Sequence, residues 1–353
     1  MDVLILGVNG FIGSHLTESI LETTDWRVHG MDLESDRVES WLEHPRFRFL
    51  EGDVSINHEW IEYHVKKCDV CLPLVAIATP ATYVKDPMAV FELDFEQNLR
   101  IVRQCVQYET RVVFPSTSEV YGMCEDEEFD EETSPLVYGP VTKSRWIYAC
   151  AKQLMDRVIA ALGRDGDLQY TLFRPFNWIG PGLDSIHTAK EGSSRVVTQF
   201  LGHLLRDEPI TLVDGGKQRR CFTHVDDGID ALMRILKNED GKADGRIFNV
   251  GHPENDRSIR ELAEAMVRVL SEFEGYEHKK KSARIVEQSA QQYYGDQYQD
   301  ITRRVPSVRR AEELLGWTPK IGFEDALRRT IGHYVETSTL PDHRPGWAGG
   351  GRG

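Results

Sequence analysis

This sequence predicts an α/β fold, a doubly wound parallel sheet with a smaller C-terminal α/β region attached. Three observations predict it. Short apolar runs alternate with segments of helical periodicity through the first half of the 353 residues, the order that parallel βαβ units require. A glycine-rich turn follows the first run directly, where a strand must hand the chain to a helix. After Pro181 the alternation stops in the Gly/Ser-containing stretch "GPGLDSIHTAKEGSS", which marks the entry of a different structural unit.

Taken in order, residues 3–6, 26–31, 47–50, 70–74, 112–114 and 171–173 read as strands. Between them, 11–22, 59–67, 89–107 and 146–162 carry apolar residues at helical spacing. This order folds most readily as one sheet with helices on both faces. A helix follows near 195–205; the helical 225–236 and the strand-like "RIFNVG" at 246–251 return to the sheet. The expected organisation is a dinucleotide-binding unit over 1–178 with 225–252 rejoining it, a substrate unit over 179–224 and 253–335, and a low-complexity tail over 336–353.

Composition narrows the function classes. Charged residues at 28% and hydrophobic residues at 40% are those of a globular chain. No apolar run approaches the roughly 18 to 20 residues of a membrane span, and the N-terminus lacks a basic leader and cleavage site. A cytoplasmic protein without membrane partners is expected. A net charge of −15 argues against nucleic acid as a partner. The basic run His278-Lys279-Lys280-Lys281 is short and reads as a solvated loop. Of six cysteines, Cys68 and Cys71 form the one CxxC; with no second pair or nearby histidines, buried thiols are expected rather than a metal site.

The turn after the first strand reads Gly7-Val8-Asn9-Gly10-Phe11-Ile12-Gly13. Glycines in this context allow the chain to turn tightly and to approach a pyrophosphate, whose charge meets free N–H groups at a helix start. Asp32 ends the second strand, where a carboxylate accepts bonds from ribose hydroxyls and repels a 2′-phosphate. Together they define a Rossmann-type loop for NAD rather than NADP. Gly7, Asn9, Gly10, Phe11, Ile12, Gly13, Asp32, Asp53 and Lys152 are the expected cofactor positions.

Tyr148 and Lys152 stand four residues apart, on one face of the expected helix. The Lys cation and the charge of the cofactor's nicotinamide together favour the phenolate, which accepts a hydroxyl proton while hydride leaves the same carbon. Thr117, Ser118 and Glu119 follow the strand at 112–114, at the sheet edge where open α/β folds bind ligands. Thr117 is placed to hydrogen-bond the reacting hydroxyl. Glu119 adds a carboxyl that could move a second proton at the carbon next to the oxidised one, which plain hydride exchange does not need, although such a triplet also serves simply to cap a turn.

The glycine loop, the Thr-Ser-Glu triplet and YxxxK together resemble the extended short-chain dehydrogenases that modify sugar nucleotides. The strings "VLILGVNGFIG", "LPLVAIATPATY", "FPSTSEVYGMC", "RWIYACAKQ", "FRPFNWIGP", "EGSSRVV", "DGGKQRRCFT" and "YYGDQYQDITRRVP" resemble, in order and over about residues 1–335, the UDP-glucuronic acid decarboxylases. Within these the likeness is to bacterial UDP-4-keto-pentose/UDP-xylose synthases and the dehydrogenase domain of the bifunctional polymyxin-resistance enzyme. The resemblance implies catalytic roles for Thr117, Ser118, Glu119, Tyr148, Lys152 and Arg304. It implies substrate contacts at Tyr83, Asn177, Arg195, Tyr298 and Arg304, NAD as cofactor, UDP-glucuronic acid as substrate, and a homodimer. Thr211 stands where the polymyxin-resistance enzyme has a Lys touching the nucleotide, and that enzyme's formyltransferase domain has no counterpart in this sequence.

The reaction so implied is oxidation at C4 of UDP-glucuronic acid, loss of CO₂ from the resulting β-keto acid, and protonation at C5. The product is UDP-4-keto-pentose, or UDP-xylose after reduction. Related chemistries stay open: a 4,6-dehydratase, which carries Asp where Ser118 stands; a UDP-apiose/xylose synthase, which carries Cys there; a 4-epimerase, which lacks the Glu. A non-catalytic NAD-sensing regulator is the reading from another class.

Overall fold

The apolar runs of the first half become strands because the central ones are buried on both faces, as parallel sheets demand, while the edge strand at 47–51 is only partly covered. The computed structural model describes residues 1–186, 195–295, 299 and 301–337. Its main sheet comprises β1 (Asp2–Leu6), β2 (Arg27–Asp32), β3 (Phe47–Glu51), β4 (Val70–Pro73), β5 (Arg111–Pro115), β6 (Tyr170–Pro175) and β7 (Arg246–Val250). All pairs are parallel, in the order β7-β6-β5-β4-β1-β2-β3. The chain builds outward from β1 through β3, then crosses to β4 and builds the other way. The switch point, where such sheets bind ligands, therefore lies between β1 and β4.

Helices α1 (Phe11–Thr23), α2 (His58–Lys67), α3 (Asn98–Gln107), α4 (Ile147–Arg164), α5 (Val196–Leu205), α6 (Val225–Lys237), α7 (Ile259–Leu270) and α8 (Phe323–Thr337) flank the sheet or extend the C-terminal region. The period of two in β1 divides the core. Val3 and Ile5 face one apolar cluster with Leu16 and Ile20 of α1 and Leu232 of α6. Leu4 and Leu6 face the other, with Ile61 of α2, Val102 of α3 and Met155 of α4. Smaller pairings complete the second region: Ile210–Val213 lies parallel to Ile285–Gln288, and Arg219–Cys221 antiparallel to Asp256–Ser258. Helix α7 starts in a capping box between Ser258 and Glu261.

Two expectations need correction. The single helix expected over 89–107 is broken. Short helices at Pro80–Lys85 and Pro87–Phe91 precede a π-helical turn, Glu92–Gln97, that leads into α3. The Asn98 amide donates to the carbonyls of Leu93 (2.9 Å) and Asp94 (3.4 Å), so a side chain takes acceptors that regular helical bonding would use. The basic run is not wholly solvated either. Lys279 is 2% exposed; its ammonium donates to the Leu204 carbonyl and to Asp207 at 2.6 Å. The six cysteines are free, and all but Cys150 are buried. Among the described residues no cluster suits a metal ion, and no helix is long and apolar enough to cross a membrane.

Candidate active site

The carboxyl ends of the central strands open into a cavity of about 930 Å³. Its walls bring together Gly7, Asn9, Gly10, Phe11, Ile12, Gly13 and Asp32 with Tyr83, Thr117, Ser118, Glu119, Tyr148 and Lys152. Asn177, Arg195 and Arg304 line the same space. Of the other expected positions, Asp53 is not among the lining residues. Its carboxylate accepts from the Ser55 N–H and hydroxyl at 2.8 and 2.7 Å, closing the turn after β3. Tyr298 lies outside the described residues.

The glycines answer to steric demands. Gly7 has φ +89°, and a Cβ there would stand 3.1 Å from the backbone after β4. At Gly13 a Cβ would meet the Gly7 carbonyl oxygen at 2.4 Å, so α1 begins hard against its own loop. The N-cap, Gly10, has no side chain to occupy the helix start, which leaves the first N–H groups facing the cavity. These residues fit a dinucleotide: the loop would hold its pyrophosphate, and Asp32 would meet the ribose. Asp32 also builds the loop, for its carboxylate accepts from the N–H groups of Asn9 and Leu33, both at 2.8 Å. Burial pushes its pKa up, and these backbone bonds oppose the shift. The Asn9 side chain in turn ties the loop to Asp36 and to the Arg37 N–H. Replacing Asp32 by Ala should therefore narrow the preference for NAD⁺ over NADP⁺ and also weaken NAD⁺ itself. Calorimetric titration of both dinucleotides checks this; an unchanged ratio would move the selectivity elsewhere.

Tyr148 and Lys152 rise from α4 into the cavity, both buried. The phenol stacks on Tyr83, ring centroids 4.8 Å apart and planes within 8°, and it shares a hydrogen bond with Thr117. Thr117 does two things at once, since its oxygen also accepts from the Glu119 N–H at 3.2 Å and caps the turn Ser118–Tyr121. The Lys152 ammonium donates to the Pro115 carbonyl at 3.0 Å and lies 3.9 Å from Asp94. Burial, followed by the charges of Asp94 and Glu119, holds the Tyr148 phenol well above its ordinary value. The expected charge of a bound nicotinamide would act beside Lys152 against this shift.

Glu119 sits in a cage of guanidinium groups. Arg145 donates to one carboxylate oxygen at 2.8 Å; Arg304 stands 3.5 Å from the other and 3.4 Å from the Ser118 hydroxyl. Burial alone would raise the carboxyl, but Arg145, Arg304 and Arg220 outweigh it and hold the pKa at about 2. At neutral pH Glu119 is therefore ionised, an acceptor and not a proton donor. Asn177 adopts φ +42°, and its amide nitrogen finds no partner among the described residues. Arg195 forks onto Asp184 at 2.8 to 3.2 Å and stacks over Phe11, which places it beside the loop.

Three side chains escaped the reading of the sequence. Arg145, 1% exposed, precedes the YxxxK signature and joins Glu119 to the Gln299 carbonyl at 2.9 Å. Arg220 lines the cavity and donates to the Ile301 carbonyl at 2.7 Å. Asp94 is wholly buried beneath Lys152. Arginine in "SRW" and "QRRC" and a carboxylate in "ELDFE" look like ordinary surface charge until the fold turns them inward. Their burial in an apolar context was the missing signal.

A dinucleotide loop at the switch point, with a Tyr–Lys pair and a Thr hydroxyl at the next strand ends, defines a short-chain dehydrogenase/reductase architecture. Residues 3–251 match the NAD dependent epimerase/dehydratase family. The chain belongs to that family, and NAD is its cofactor. It is similar to the PbgP3 protein of Burkholderia pseudomallei, with 60% identity over 95% of this chain and 96% of that one, at a TM-score of 0.86. Its fold is shared with the dTDP-glucose 4,6-dehydratase of Bacillus anthracis (20% identity, 96% and 97% covered, TM-score 0.77). It is shared equally with the UDP-glucuronic acid 4-epimerase of Bacillus cereus (21% identity, 95% and 99% covered, TM-score 0.78).

Proposed function

We propose that the chain converts UDP-glucuronic acid, by NAD-dependent oxidative decarboxylation, to UDP-4-keto-pentose, UDP-xylose or both. The observation that carries this reading is the charge of the site. Arg145, Arg220 and Arg304 converge on the carboxylate of Glu119, a cluster of guanidinium groups whose chemistry suits a sugar bearing a carboxylate and a diphosphate. The sequence strings quoted above support the same substrate.

Bound NAD would supply the hydride acceptor for C4. Tyr148 takes the C4 hydroxyl proton, and Thr117 orients that hydroxyl through the hydrogen bond it shares with the phenol. Arg304 holds the substrate carboxylate. CO₂ leaves because the new ketone accepts the electron pair as an enolate, so the protein need only orient the carboxylate and stabilise the oxyanion. Glu119 keeps Arg304 in place and, being ionised, does not deliver the C5 proton; Ser118, in contact with Arg304, is the hydroxyl of the triplet that can pass one. Ser118, standing where a 4,6-dehydratase carries Asp, weighs against that reaction, which needs an acid beside the departing hydroxyl.

In this reading residues 1–178 and 225–252 carry the cofactor, 179–224 and 253–335 complete the substrate site, and the protein works as a cytoplasmic homodimer. The test is incubation with UDP-glucuronic acid and NAD⁺, following CO₂, NADH absorbance and pentose products together. Release of CO₂ with a UDP-pentose product is expected. Absence of CO₂ from protein that binds NAD⁺ would overturn the assignment, and epimerised or dehydrated sugar would replace it.

A further inference from the structure

The buried cation of Lys152 requires an anion, and two carboxylates approach it. Asp156, one helical turn along α4, is already engaged: Arg174 donates to it at 3.1 Å and the Ser116 hydroxyl at 2.7 Å. Asp94 is different. The π-helical turn drives it inward until none of its surface is exposed. One oxygen accepts from the Ile77 N–H at 3.2 Å; the other, 3.9 Å from the Lys152 ammonium, has no hydrogen-bond partner among the described residues. Of its three protons the ammonium gives one to the Pro115 carbonyl, which leaves donors for Asp94 and for a ligand in the cavity.

We propose that Asp94 is a positioning residue, the counter-ion that keeps Lys152 protonated and turned toward the cavity. The proposal rests on the reading of Lys152 as part of the catalytic group. An uncompensated ammonium in this place would lose its proton, because burial penalises the charged form. Burial does lower the Lys152 pKa, with Asp94 first and Asp156 second in opposing the shift. Burial also lifts Asp94 to about 6, against the pull of Lys152. The arrangement has a cost at Tyr148, where the Asp94 charge disfavours the phenolate. Asp94 thus secures the cation while leaving the phenol to be activated only when a positively charged cofactor arrives. A π-helical turn at this point is what such a role requires, for a regular helix would bond the same carbonyls and present a different side chain.

The test reads Lys152 itself. Full-length protein with ¹³C-labelled lysine is titrated by NMR, the Cε resonance of Lys152 being assigned by its loss in Lys152→Met. Asp94→Asn keeps the acceptor for Ile77 and removes only the charge; it should lower the Lys152 midpoint by about one to three pH units. Asp156→Asn should lower it less, because Arg174 already matches that carboxylate. Asp94→Glu, which restores charge, should return the midpoint toward wild type. A midpoint unmoved by Asp94→Asn, or moved as far by Asp156→Asn, overturns the proposal; so does a Glu variant as low as the Asn variant. No substrate enters the measurement, so a failure of the decarboxylase reading would leave this result standing.

Discussion

Tyr148→Phe is expected to abolish C4 oxidation while the protein keeps its fold and its affinity for NAD⁺. Only a hydroxyl is lost. The ring remains stacked on Tyr83, and the hydrogen bond with Thr117 is given up. A positioned acid–base group contributes about 10²–10⁴-fold, and the loss should fall in kcat more than in KM. Stopped-flow NADH absorbance and calorimetry with NAD⁺ check the two halves of the expectation. A variant that retains most of the wild-type turnover would remove Tyr148 from the chemistry.

Arg304→Ala and Glu119→Gln should fail in different ways although the two side chains meet. Arg304→Ala withdraws the cation assigned to the substrate carboxylate, so affinity for UDP-glucuronic acid and CO₂ release should fall together; charge-assisted contacts contribute roughly 1.5–3 kcal/mol. Glu119→Gln keeps the shape but leaves Arg145 and Arg304 facing each other without the charge between them. Turnover should drop while substrate binding is largely kept, and stability should drop as well.

The sign of that stability loss follows from linkage. The carboxyl of Glu119 is held at about 2, below its ordinary 4.5. The stability it contributes is fully present above about pH 4.5 and is lost as pH falls toward 2, on the order of 3 kcal/mol in all. Denaturation of wild type and Glu119→Gln should therefore differ at pH 7 and converge in acid. Curves that stay parallel down to pH 3 would contradict the cage of arginines.

What could be read from the sequence was local. The glycine turn, Asp32 and the Tyr148–Lys152 spacing are recognisable because the residues that act together lie within one βα unit or one helical turn. The strands were legible for a similar reason, since burial on both faces writes itself as an apolar run. Asp94 was not, because the break before α3 depends on the Asn98 side chain reaching back to Leu93 and Asp94. The protonation state of Glu119 was not legible either: its carboxyl reads from the sequence as a proton carrier, and the arginines around it hold it ionised. Its partner Arg145 is 26 residues away and looks unremarkable in isolation.

The cage around Glu119 also has an order in time. Arg145 is separated from Glu119 by 26 residues, whereas Arg304 meets Ser118 across 186. A chain emerging from the ribosome can thus close the glycine loop and seat Glu119 against Arg145 long before Arg304 has been made. Arg304 enters only when the segment around it docks, with the Phe129 N–H donating to Val305 and the Ser307 N–H donating to Phe129. The part of the site that handles the cofactor can therefore be assembled earlier in synthesis than the part that would recognise a carboxylate. A nascent chain from which residues 1–252 have left the ribosome, and Arg304 has not, should already hold NAD⁺ and still be blind to the acid group of its substrate.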